Sequence, residues 1–73
     1  MAMPNSVYKI IELVGTSPDS WEAAAKNAVE MASKTLKDLR IAEVVKQDMV
    51  IEEGKPHLFR VKISLSFKYH SNE

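Results

Sequence analysis

The sequence predicts an α+β domain in which a three-stranded antiparallel sheet wraps one helix, with the elements in the order β-α-β-β. Three observations carry this. Within residues 58–69, apolar and polar side chains alternate without a break from Phe59 to Tyr69. Residues 18–37 repeat their apolar side chains at three- and four-residue spacing. Two further stretches, 7–14 and 39–51, are rich in β-branched residues, and turn residues follow each of them, at 15–20 and 52–56.

The first strand is Val7–Val14 and ends at Gly15. Val7, Ile11 and Leu13 fall on one face and Tyr8, Ile10 and Val14 on the other, so both faces need cover. Residues 15–20 read as a strand-to-helix turn. Ser17 suits the N-cap with Pro18 at the first helical position, and Asp19 then complements the helix dipole. A register with Asp19 as N-cap and Glu22 three residues on competes with it. The helix is expected over Pro18–Lys37, with Trp21, Ala24, Ala25, Ala28, Ala32 and Leu36 as its apolar stripe. A stripe made mostly of alanine lets the helix lie close to its partner.

The second strand, Leu39–Ile51, is long for so small a domain. Strict alternation puts Ile41, Glu43, Val45, Gln47, Met49 and Ile51 on one face. Ala42, Val44, Lys46, Asp48 and Val50 take the other. Residues 52–56 form a hairpin connection in which Gly54 is available for positive φ. In the third strand Phe59, Val61, Ile63, Leu65, Phe67 and Tyr69 point one way, and Arg60, Lys62, Ser64, Ser66 and Lys68 the other. Residues 1–6 read as a flexible lead-in, 7–70 as one domain and 71–73 as a frayed end.

At 73 residues the chain is a single small domain. A domain of this size buries only about 60% of the surface its unfolded chain exposes. Its core then supplies only about 3–5 kcal/mol. Such domains add disulfides, a structural metal or partners. The sequence has no cysteine, and His57 and His70 have no metal-ligand spacing, which leaves oligomerisation. The patterning agrees, since one helix cannot cover both faces of the first strand together with Val44 and Val50. The long second and third strands also leave sheet edges to cover.

Ten Lys and Arg balance ten Asp and Glu, which argues against a nucleic-acid partner drawn by bulk charge. No apolar stretch approaches the roughly 20 residues of a membrane span, and the first residues have no secretory pattern. The expectation is a cytoplasmic protein with no membrane partner. No Ser or Thr has a base and orienter in view, so no enzyme is expected.

The stretch Val7-Tyr8-Lys9-Ile10-Ile11-Glu12-Leu13-Val14-Gly15-Thr16-Ser17 resembles the opening strand and turn of dodecins. Ser20-Trp21-Glu22 and the alanine-rich helix after it are similar to their single helix. Arg40-Ile41-Ala42-Glu43-Val44-Val45 and Phe59–Phe67 resemble their two long strands. The resemblance covers residues 7–69. It implies a hollow homododecamer with helices outside and sheets lining the interior. It also implies a non-catalytic binding or storage role, with a flavin such as riboflavin or FMN as the family ligand.

Two departures bear on that ligand. Flavin-binding dodecins carry a stacking tryptophan just before the Glu-Val-Val run, where Ile41 stands here, followed by Ala42. An aliphatic side chain has no π-face, so about 0.5–1.5 kcal/mol per ring pair is lost. The family's glutamine for the flavin's polar edge is replaced by Arg60, which donates but cannot accept. Gln47-Asp48-Met49 is closer to a branch of the family linked to calcium. Calcium takes about six to eight oxygens, more than one subunit offers, so Asp48, Glu43 or Glu12 from several copies would have to meet on a symmetry axis. The candidate residues are therefore Ile41, Ala42, Gln47 and Arg60 for a flavin and Asp48, Glu43 and Glu12 for an ion. Asp48 and Glu43 also read as ordinary strand charges. Trp21 reads as packing rather than as the stacking ring. The basic face of Arg60, Lys62 and Lys68 reads either as solvated or salt-bridged, with Arg60 against Glu12 or Glu43 where interior sheets pair across subunits, or as an inner wall that attracts phosphate-bearing ligands.

Overall fold

The computed structural model describes residues 6–69; residues 1–5 and 70–73, with most of the expected lead-in and the whole of the frayed end, lie outside them. Four elements follow in order: strand β1 Tyr8–Ser17, helix α1 Trp21–Ser33, strand β2 Leu39–Glu52 and strand β3 Lys55–Lys68. The β-α-β-β order and the single antiparallel sheet agree with the sequence. The sheet runs β1-β3-β2, so β3 is the central strand and β1 and β2 are its edges.

The helix is shorter than its periodicity suggests, and neither expected N-cap is used. Ser20 caps it: its hydroxyl accepts from the Ala23 backbone N–H at 3.0 Å. The strand instead continues through Gly15, Thr16 and Ser17. Ser17 is buried there, and its hydroxyl accepts from the Asp19 N–H at 3.0 Å, a local turn that competes with helix. At the other end the backbone tightens. Lys34 and Thr35 donate to carbonyls three residues back, and Asp38 at φ 61° turns the chain into β2.

The core is thin. Ala24, Ala28 and Ala32 of α1 pack on Val61, Ile63 and Leu65 of β3, with Ile11, Leu13, Trp21, Ala25, Val29 and Leu36 at its margin. Val29 joins although the expected stripe omits it. The alanines allow close approach, and Gly15 carries this furthest: a Cβ there would lie 2.1 Å from the Ala24 carbonyl oxygen. The hairpin turn is Glu53-Gly54, at φ 51° and 74°, with Glu52 paired to Lys55, a two-residue loop with both φ positive.

Strict alternation fails in β2. The β2–β3 register shifts at three places, leaving Arg40 and Val45 of β2 and His57 of β3 as extra residues. Val44 pairs with Ile63, which faces the helix, yet Lys46 pairs with Lys62 and Asp48 with Arg60 on the opposite face. Val44 therefore belongs to the helix side and is not part of the surplus expected on the open side. Gln47 and Met49 likewise separate from Ile41 and Glu43, since they pair with Val61 and Phe59. Among the described residues no helix is long and apolar enough to cross a membrane.

Candidate functional site

The helix covers one face of the sheet and leaves the other open. On that open face β1 supplies Ile10, Glu12 and Val14, β3 supplies Arg60, Lys62, Ser64 and Ser66, and β2 supplies Ile41, Glu43, Lys46 and Asp48. Strand pleating sends every second residue here, and the extra residue Val45 brings Lys46 and Asp48 into line with them.

The central interaction is a bidentate pair. Arg60 donates from Nε to Asp48 Oδ1 at 2.8 Å and from Nη2 to Asp48 Oδ2 at 2.9 Å. These hydrogen bonds hold the Asp48 carboxyl below its usual range, partial desolvation opposes them, and the charges of Arg60 and Lys46 add to the lowering. The same bonds raise Arg60 above its ordinary value. Both side chains are at the surface, so the pair orders the face more than it stabilises the fold. Beside it Lys62 Nζ lies 3.4 Å from Glu12 Oε1. Within one chain the partner of Arg60 is thus Asp48.

On the covered side Trp21 ties the helix to the hairpin. Its indole N–H donates to the Asp48 carbonyl at 2.9 Å, and its ring meets Phe59 edge-on with centroids 5.0 Å apart. Trp21 is packing, and it also positions the strand segment that carries Asp48.

The candidate residues divide between the two faces. Ile41, Glu43, Asp48, Arg60 and Glu12 share the open one, whereas Ala42 pairs with Leu65 and Gln47 with Val61 on the helix side. Ile41 is 66% exposed, an apolar surface with no ring. Arg60 offers a flavin only donors, two of them already committed to Asp48. For an ion, one chain does not suffice: among the described residues no three His, Cys, Asp or Glu side chains gather as a metal site. Both Asp48 oxygens accept from Arg60. Lys46 escapes the sequence reading, which treats it as one more strand charge. The only signal is the pair of adjacent valines, Val44-Val45, that breaks the alternation before it.

The family model for dodecin matches residues 7–70. Among curated relatives, the calcium dodecin of Mycobacterium tuberculosis is 46% identical over 63 residues, covering 86% of this chain and 89% of that protein. The dodecin of Thermus thermophilus is 39% identical over 62 residues, covering 85% and 90%. Among solved structures, the dodecin from Streptomyces coelicolor superposes with a TM-score of 0.91 at 38% identity, covering 96% of this chain and 100% of that one. The calcium-chelating antigen calcium dodecin from Mycobacterium tuberculosis gives 0.81 at 43% identity, covering 93% and 97%. On sequence and fold together, this chain belongs to the dodecin family.

Proposed function

We propose that the chain assembles as a hollow cytoplasmic homododecamer that binds and holds a small ligand without turning it over. One observation carries this reading: in a fold matched to a family of small binding proteins, apolar side chains stand exposed on the open face. Ile10, Val14 and Ile41 are each more than half exposed there, as are Val44 and Ile51 elsewhere on the edge strand β2. Copies of the same chain are the economical cover for such surface.

The cargo assigned first is the family ligand, a flavin such as riboflavin or FMN, in a weakened site. Ile41 gives it apolar contact without stacking, with Ala42 and Gln47 on the neighbouring backbone, and Arg60 gives it donors only. A second reading, a calcium-binding shell without flavin, is favoured by a specific observation: the 46% identical relative is a calcium dodecin. In that reading Asp48, Glu43 and Glu12 of several copies supply the oxygens, and Asp48 gives up Arg60 to do so.

One preparation separates the two. Riboflavin fluorescence should be quenched on titration with the assembled protein. Fluorescence left unchanged at micromolar protein rules the flavin out. A chelator should leave the melting temperature unchanged if the flavin reading holds. A chelator-induced drop that calcium reverses transfers the assignment to the ion, because a ligand bound only by the folded form stabilises it.

A further inference from the structure

We propose that Trp21 couples the two faces of the sheet: from the helix side it sets how the Asp48 side chain is presented on the open side. Trp21 is the first residue of α1, directly after the cap Ser20, so the helix start fixes its own position. The strand segment it touches is fixed by little else. β2 is an edge strand whose register slips at three places. Apart from Leu39 at its start, no described residue of β2 joins the core cluster. An irregular edge strand with so little core contact has a weakly determined course.

Trp21 grips that segment at two adjacent levels. Its indole N–H donates to the Asp48 carbonyl at 2.9 Å. Its ring meets Phe59 edge-on with centroids 5.0 Å apart. Phe59 precedes Arg60 and is paired with Met49, which follows Asp48. One residue on the helix side thus brackets both members of a pair whose side chains meet on the far side. That pair leaves little slack, since both Asp48 oxygens accept from Arg60, at 2.8 and 2.9 Å. The carbonyl held by Trp21 and the carboxylate held by Arg60 belong to one residue, so a turn of Asp48 that loosens one contact disturbs the other. Two arrangements follow: Asp48 held from both sides, or released from both. Release from Arg60 is what an ion would require, and this consequence rests on the calcium reading. Trp21 touches no ligand in either arrangement and is a positioning residue.

The chain has one tryptophan, and it is half-buried, so its emission reports on this contact. In the assembled protein at neutral pH, Asp48→Asn and Arg60→Gln should each move the emission maximum several nanometres to longer wavelength. Lys62→Gln, which breaks the contact with Glu12 on the same open face, should leave it in place. Trp21→Phe keeps a ring against Phe59 and removes the donor. In that background Asp48→Asn should lower the melting temperature by less than half as much as it does with Trp21 present. An emission maximum unmoved by both Asp48→Asn and Arg60→Gln, or a melting difference as large without Trp21 as with it, would overturn the coupling. Calcium that leaves the emission unmoved while Asp48→Asn still shifts it removes the ion reading and leaves the coupling standing.

Discussion

Arg60 and Asp48 show how one pair of side chains changes what a site can hold. Each was a candidate for a different ligand, Arg60 for a flavin edge and Asp48 for an ion, and they meet each other instead. Their partnership depends on register. The two-residue turn pairs Glu52 with Lys55, and the extra residue His57, next to Pro56, then slips the ladder by one so that Asp48 faces Arg60. Proline lacks the ladder N–H and is at home where a ladder is irregular. The pairing has a pH signature. Because Asp48 is held below its usual range, its contribution is complete above the unfolded value of about 3.9 and is lost as pH falls through the lower folded value. Melting temperatures of the parent and of Asp48→Asn should therefore differ at neutral pH and converge below about pH 4. A gap that stays constant across the series would show that the pair contributes nothing of this kind.

Gly15 decides how closely α1 lies on β1. Over Gly15 the helix offers Ala24 and Ala28, so backbone approaches backbone, and the space above Gly15 belongs to the Ala24 carbonyl. A carbonyl cannot swing aside as a flexible side chain can. Gly15→Ala should cost stability at the upper end of the about 1–3 kcal/mol typical of overpacking, read as a lower melting temperature at fixed protein concentration. A melt within a degree of the parent would mean that the helix shifts freely. Such consequences of packing separate what the sequence discloses from what it conceals. β3 was legible because it is central and half-buried, so its alternation survives intact. The alanine stripe was legible for the same reason. The bulges of β2 were not, since no glycine or proline marks Val45 and the strand lies at an edge, where few contacts enforce a pattern. The helix start was obscured by three possible caps within four residues, Ser17, Asp19 and Ser20. Only the course of β1 decides among them. For the site, Ile41 and Arg60 could be placed by resemblance, whereas the facing of Lys46 and the split of Ala42 and Gln47 from the open face required the register.

For the molecule as a whole, shape and core point to the same requirement. The radius of gyration is 15.0 Å, against about 11 Å for a compact domain of this length. Elongation spends surface, and among the described residues only six hydrophobic ones are buried in the core, three of them alanines. With no disulfide possible, a lone subunit is left with a small core and with Ile10, Val14 and Ile41 exposed on its open face, the condition under which folding and assembly become one process. Sedimentation should show a single large species, and twelve chains of 8.2 kDa give about 98 kDa. Its melting temperature should rise with protein concentration, because the folded state is then favoured by mass action. Another closed number of subunits would correct the stoichiometry and leave the need for partners standing. A species of 8.2 kDa that unfolds cooperatively, at a temperature independent of concentration, would remove that need and with it the shell.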